Sequence, residues 1–293
     1  MRPVLPFLAL LLLGNADVPP PARAMLDAAF GSGDEREVAT VEKYARIAWP
    51  GHADAIGTEA SKWRAARAAA KRDAVARASM LELWTGRAEL GGFISSGNSD
   101  LAGVTAILEG RREGLSWRHK LRLQADHQES GGATTRERYL LGYEPNYKAG
   151  ERAYLYGAAL AESDRFLGYD RRLSASAGAG YGAIRGGGVT LDVELGPAFR
   201  HTSFVDDTAE NSVAARGSVD LDWKLSDAVT LRQEASAYLQ RVNSTVASTT
   251  ALNARLLGPL SAQLSYAVQY ESTPAEGRRT TDTTGRASLV YSF

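Results

Sequence analysis

From about Leu83 to the last residue, apolar and polar side chains alternate one for one along the chain. In Val189–Arg200, Val189, Leu191, Val193, Leu195 and Phe199 share one face, and Thr190, Asp192, Glu194 and Arg200 share the other. The same alternation sets Val219, Leu221, Trp223 and Leu225 against Asp220, Asp222 and Lys224. It sets Leu115, Trp117, Leu121 and Leu123 against Arg118, Lys120, Arg122 and Gln124. Leu260, Leu264, Tyr266, Val268 and Tyr270 alternate with Ser261, Gln263, Ser265, Gln269 and Glu271. A period of two belongs to a β-strand whose two faces meet different surroundings. The segments run to roughly ten to fifteen residues, beyond the usual ~5–6 of globular sheets and enough for the ~9–11 of a tilted membrane strand.

This pattern predicts an all-β fold, a 12-stranded antiparallel transmembrane β-barrel. Its strands begin near positions 83, 98, 115, 133, 152, 169, 188, 210, 228, 246, 260 and 280. The connections are expected to alternate in length. Tight turns are read at Glu113-Gly114, Ala149-Gly150, Gly186-Gly187-Gly188, Ser226-Asp227 and Gly258-Pro259. Longer polar loops are read at Ser95–Asp100, Glu129–Thr135, Arg165–Asp170, His201–Ser212, Arg241–Thr250 and Ser272–Thr284. Outer-membrane barrels keep their short turns on the periplasmic side. With an even strand number, the C-terminus and any N-terminal segment are then expected in the periplasm.

Aromatic residues near the strand ends suggest two interfacial girdles, drawn from Trp84, Trp117, Trp223, Tyr147, Tyr154 and Tyr181 on one rim and Phe93, Tyr139, Phe199 and Tyr270 on the other. Pro145 and Pro197 lack the N–H a ladder needs, so each is expected at a bulge or strand end. Gly178, Gly180 and Gly182 leave one strand face bare, for a neighbouring side chain or, preferentially, for strong curvature.

Ahead of the barrel the period changes. Val38, Val41 and Ala45 recur at helical spacing behind an Asp34/Glu37 capping-box pair. Pro50-Gly51 should end that helix, and a second should run from about Ala53 to Met80. Its basic residues Lys62, Arg64, Arg67, Lys71, Arg72 and Arg77 suit a solvated face, or less readily a phospholipid surface. Pro19–Pro21 read as a stiff spacer. Residues 1–16 have the form of a signal peptide, with Arg2, an apolar run Val4–Leu13 and a Gly14-Asn15-Ala16 cleavage site; cleavage after Ala24 is the alternative. The expected domains are therefore 1–16 signal peptide, 17–82 periplasmic helical segment and 83–293 barrel.

Composition changes this picture little. A mean hydropathy of −0.26 looks soluble, but only alternate barrel residues meet lipid. Lys+Arg and Asp+Glu number 34 each, which removes the basic excess of a nucleic-acid binder. There is no Cys, and the 4 His form no close pair, so neither a metal nor another cofactor is expected.

The polar strand faces supply the candidate lumen lining: Arg87, Glu89, Glu109, Arg111, Arg118, Lys120, Arg122, Asp126, Asp192, Glu194, Arg200, Asp220, Asp222, Lys224, Arg232 and Glu234. Basic residues gather on strand 3 and acidic ones on strands 7 and 8. Cross-lumen pairing would follow if those strands oppose one another. Such charges can line a hydrated pore or pair and plug it, and the near-neutral total mildly favours pairing. His201-Thr202-Ser203 has the His-x-Ser order of outer-membrane phospholipases, but the Asn-Gly of that family is replaced by Phe204-Val205 and the pair reads as loop. No catalytic residues and no enzyme are therefore expected. Asp206, Asp207 and Glu210 read as a solvated acidic loop.

The C-terminal alternation of Leu289, Tyr291 and Phe293 resembles the signal read by the barrel assembly machinery, an expected partner during biogenesis. Trp84-Thr85-Gly86, Gly91 and Ser96-Gly97-Asn98-Ser99-Asp100 resemble the opening W-x-G…S-G-N-T-D of the salt-induced outer membrane protein family, domain of unknown function 481. Trp117-Arg118-His119, Asp164-Arg165-Phe166, Ala177-Gly178-Ala179-Gly180-Tyr181, Gly196-Pro197 and Thr281-Asp282-Thr283-Thr284 follow in that family's order. Ser99 departs from its usual Thr. The resemblance spans about residues 83–293 and implies an outer-membrane barrel of a Gram-negative bacterium, with no established activity. The expected function is a passive small-solute channel or a plugged envelope-stress barrel. The alternatives are a lipid hydrolase and an adaptor that binds a periplasmic partner through residues 17–82. Outer-membrane lipid is an expected partner, and nucleic acid is not.

Overall fold

The computed structural model describes residues 17–96, 101–130, 133–165, 167–241, 243–274, 277 and 279–293. The signal peptide expected over 1–16, the 97–100 part of the serine-glycine motif and Phe166 lie outside the described residues. The chain divides into two compact units, 1–77 and 78–293.

The first unit holds three helices, α1 (Pro20–Ser32), α2 (Glu35–Ala48) and α3 (Ala53–Arg77), with a 3-10 turn at Pro50–His52. Asp34 caps α2 by accepting from Arg36 N–H at 2.8 Å, while its own N–H goes to Ser32 Oγ at 3.2 Å rather than to Glu37. The proline spacer is corrected: Pro20 and Pro21 form the first turn of α1. A first-turn N–H has no intrahelical partner, so proline costs nothing there. Val18, Ala22, Leu26, Ala45 and Ile56 are buried together, with Phe30, Val41 and Trp49 packed against them. Arg64 ties α3 to α2 through Glu42 at 2.7 Å.

The second unit is a closed barrel of β1 (Trp84–Ser96), β2 (Leu101–Glu113), β3 (Trp117–Ser130), β4 (Ala133–Lys148), β5 (Ala153–Asp164), β6 (Tyr169–Gly186), β7 (Val189–Phe204), β8 (Ala209–Lys224), β9 (Val229–Leu239), β10 (Thr245–Leu257), β11 (Leu260–Glu271) and β12 (Thr281–Ser292). Each strand pairs antiparallel with its neighbours in sequence, and β1 closes on β12. Closure leaves no free edge, which a bilayer would penalise heavily. Outward-facing apolar side chains stay exposed on every side, among them Leu90 at 70%, Leu195 at 68%, Val213 at 76% and Leu264 at 63%. Inward-facing Glu89, Asp126 and Arg200 are buried. An exterior this apolar around a charged interior requires lipid as the outer solvent. Among the described residues no helix is long and apolar enough to cross a membrane, so crossing falls to the strands.

Three local expectations are overturned. β7 continues to Phe204 and β8 starts at Ala209, so residues 205–208 alone connect them, and His201 and Ser203 are strand residues. Backbone pairing persists beyond the point where both faces meet water and the alternation fades. The β11–β12 connection, 272–280, remains long. Next, Pro145 and Pro197 cause neither a bulge nor a strand end. Pro145 pairs in register with His119, and Pro197 with Ala215. The missing N–H instead opens the ladder on the other side, where β4–β5 pairing skips from Tyr143 to Asn146 and β6–β7 from Ala198 to Leu195. Last, the bare glycine face is filled rather than simply curved. The Tyr154 ring occupies the place of a Cβ at Gly180, and Gly178 meets the Leu195 carbonyl and Gly196.

The W-x-G opening has a packing reason. Gly86 exchanges backbone hydrogen bonds with Phe293, N to O at 2.8 Å and O to N at 2.9 Å, and the Phe293 ring covers the space a Gly86 side chain would need. The Trp84 ring lies over Gly110. The first contact welds β1 to β12 at the closing seam, and the second packs β1 on β2. Arg112 holds the chain entering β1 by donating to the carbonyls of Ser79 at 2.9 Å and Glu82 at 3.1 Å.

Candidate functional site: the charged barrel interior

Period-two strands send every second side chain inward, and in a closed ring those side chains converge. One interior cavity of about 740 Å³ is lined by residues from all twelve strands. Of the candidate lining, Arg87, Glu109, Arg111, Lys120, Arg122, Asp192, Glu194, Arg200, Asp220, Asp222, Arg232 and Glu234 bound it.

The other four candidates do not. Glu89 is buried against the wall, accepting from Gln263 Nε2 at 2.8 Å and Ser288 Oγ at 2.7 Å. Asp126 is buried on Thr105 Oγ1 at 2.6 Å and Arg286 at 3.7 Å. Arg118 turns to Glu113 at 3.1 Å and lies over the Tyr154 ring. Lys224 is the last residue of β8 and is exposed at the rim.

The cavity charges are organised around Glu109. Its carboxylate takes Arg87 at 2.6 Å, Arg122 at 2.6 Å and Arg232 at 3.5 Å, drawn from β1, β3 and β9. Arg122 also reaches Glu234 at 3.1 Å, and Lys120 lies 3.9 Å from Asp220 and 2.9 Å from Glu144. The strand 3 to strand 8 opposition expected from sequence is therefore present, but the shortest crossing runs to β9. Strand 7 charges pair locally, Asp192 with Arg185 and Glu194 with Arg216 on β8 at 2.8 Å.

Sequence reading missed Arg138, Glu144, Glu162, Arg172, Arg216, Glu271 and Arg286, which bound the cavity or brace its wall. Arg172 on β6 meets Glu271 on β11 at 3.0 Å and stacks 3.8 Å over the Tyr169 ring. The signal was present: Arg138, Leu140, Gly142 and Glu144 alternate with Tyr139, Leu141, Tyr143 and Pro145.

Of the girdle candidates, Trp117, Trp223, Tyr147, Tyr181, Phe199 and Tyr270 are exposed on the outside, and Trp84 is half-buried. Tyr154 is corrected: only 5% exposed, it points inward and its hydroxyl donates to Glu194 Oε1 at 3.0 Å. Phe93 also faces inward, against Gly103. Leu289, Tyr291 and Phe293 are exposed on the outer face of the seam.

A closed antiparallel ring with a charged interior and an apolar exterior defines an outer-membrane β-barrel. Residues 88–293 match the family described as "Protein of unknown function, DUF481", and the chain belongs to that family. A relative, "Uncharacterized protein YdiY" of Escherichia coli (strain K12), is 26% identical over 217 residues, covering 74% of this chain and 86% of the relative. Among solved structures, the NanC porin aligns with a TM-score of 0.49 at 9% identity, over 70% of this chain and 98% of that one. The translocator domain of autotransporter NalP from Neisseria meningitidis aligns with a TM-score of 0.44 at 13% identity, over 80% and 96%. The KdgM porin in complex with disordered oligogalacturonate gives 0.42 at 10% identity, over 71% and 99%.

Proposed function

We propose that the barrel is a passive, narrow channel for small hydrophilic solutes across the outer membrane, constricted by the ion pairs around Glu109. The observation that carries this reading is the interior cavity of about 740 Å³, lined from all twelve strands and by charged side chains from ten of them. An apolar core would exclude water; charged walls hold it. Pairs that leave a third of each side chain exposed, such as Arg122–Glu234 at 29% and 35%, are weak and salt-screened. The constriction should then loosen as ionic strength rises.

In this reading the barrel rim that carries Trp84 and Ser292 faces the periplasm, as do the helices. Trp84, Trp117, Trp223, Tyr147 and Tyr181 lie at that lipid interface, with Phe199 and Tyr270 towards the other. Leu289, Tyr291 and Phe293 form the signal read by the assembly machinery. Residues 1–16 serve as the cleaved export signal.

The test is planar-bilayer conductance of the purified folded chain over a range of KCl concentrations. Small steps whose conductance grows faster than bulk conductivity support the channel. Silence from protein shown to be folded by its heat-modifiable mobility overturns it. The second reading, a plugged envelope barrel, is favoured by the same cross-lumen pairs and would then stand.

A further inference from the structure

On the outer face of the β7–β8 hairpin three polar side chains are linked in a row. Ser203 Oγ lies 3.4 Å from His201 Nε2, and His201 Nδ1 lies 2.8 Å from Asn211 Oδ1. A carboxamide oxygen only accepts, so Nδ1 carries the proton there and Nε2 presents its lone pair to the serine hydroxyl. That is the tautomer a nucleophile–base–orienter row requires. The backbone imposes the arrangement: His201 and Ser203 stand two apart on one strand, and Asn211 is the cross-strand partner of His201. Thr202 between them is 5% exposed and points inward, which sends the other two outward.

The surroundings are of two kinds. On one side, Phe199, Val213 and Leu173, the β6 partner of His201, continue the exposed apolar belt. On the other is the 205–208 turn with Asp206 and Asp207. The Thr208 hydroxyl and N–H donate to Asp206 and hold its carboxyl below the ordinary carboxylate range, so the turn stays charged. The row therefore straddles an apolar and a charged zone, the depth at which the ester linkage of a lipid lies between acyl chain and headgroup.

We propose that Ser203, His201 and Asn211 form a hydrolytic site for acyl esters of lipids, independent of the lumen. Ser203 Oγ bonds to the ester carbonyl carbon as His201 Nε2 takes its proton. The carbon–oxygen bond to the alcohol breaks, and His201 returns the proton to the departing alcohol. Water then attacks the acyl-serine with the same proton relay, releasing fatty acid and restoring Ser203. Asn211 is a positioning residue that fixes the imidazole. The N–H groups of Phe204, Val205 and Asp207 are already bonded to carbonyls of Thr208, Gly168 and Phe204. That leaves those turn amides unavailable to an oxyanion; each missing donor costs about 10²–10³ in rate, so turnover is slow.

The experiment uses the folded full-length chain in detergent. It is treated with a fluorophosphonate, and separately with mixed micelles of phosphatidylethanolamine. The expected result is a covalent adduct on the Ser203 peptide and fatty-acid release, both abolished in Ser203→Ala. Labelling should fall at least ~10-fold in Asn211→Ala, which leaves the imidazole without its orienting partner. All three side chains lie on the surface, and heat-modifiable mobility verifies the fold of each variant. An unlabelled Ser203 in folded protein, or fatty-acid release that survives Ser203→Ala, overturns the proposal. A labelled Ser203 without lipid hydrolysis removes lipids as its substrate class and overturns it equally.

Discussion

Arg122 on β3 and Glu234 on β9 meet at 3.1 Å inside the barrel, although five strands lie between them whichever way the ring is followed. This ion pair joins diametrically opposite walls, and Arg232 on β9 adds a second crossing to Glu109 on β2 at 3.5 Å. Replacing Glu234 by Ala should remove the strap and widen the path. Single-channel conductance is expected to rise by about twofold or more, while stability changes by only ~1 kcal/mol because both partners are hydrated. Urea unfolding in lipid vesicles and bilayer recording check both halves, and an unchanged conductance would count against the constriction.

Glu109 carries more. It is the common partner of Arg87, Arg122 and Arg232. Glu109→Gln keeps the shape and removes the negative charge, leaving three guanidinium groups short of a counter-charge. Removing one member of such a network costs about 3 kcal/mol. Reversal potentials in a salt gradient should shift towards anions relative to the parent, and wild-type selectivity in the variant would contradict the assignment.

The β6–β7 approach admits no side chain at Gly196. A Cβ there would run into the Ala177 carbonyl and lie 2.7 Å from Gly178 Cα. Both atoms are backbone in a closed ring, so neither can move aside. Gly196→Val should block closure and abolish the fast-migrating, heat-modifiable species on unheated gels. Gly258→Ala lies in a turn with open space around it but a φ of +54°, and should be tolerated with a small loss.

Leu26 is 1% exposed in the helical core. Leu26→Ala should destabilise the three-helix unit by about 2–4 kcal/mol. Limited proteolysis of the full chain should then cleave within 17–77 faster, whereas the barrel keeps its heat-modifiable mobility, because the two units have separate cores.

Strand number and starting points were readable because alternation is printed residue by residue; all twelve strands begin within three positions of the expected ones. Loop lengths were not, since pairing outlasts the amphipathic pattern, as His201–Phe204 shows. The charged faces of β4, β6 and β12 were overlooked although Arg138, Arg172 and Arg286 sit in the correct parity. Asn211 carried no local cue at all, because its partner His201 lies ten residues away.

The sequence by itself determined most of which strand faces meet lipid, because the solvent on each face selects side-chain polarity at a period of two; Tyr154 and Phe93, aromatic but inward-facing, are the exceptions. Which charges oppose one another was decided only in the tertiary structure. Arg122 and Glu234 are joined by the circumference, tilt and stagger of a twelve-strand ring, and no local pattern encodes a distance across it. The same holds for the Ser203–His201–Asn211 row. Two of its members share a strand face by parity, but the third is supplied by the register of the neighbouring strand, which the hairpin sets.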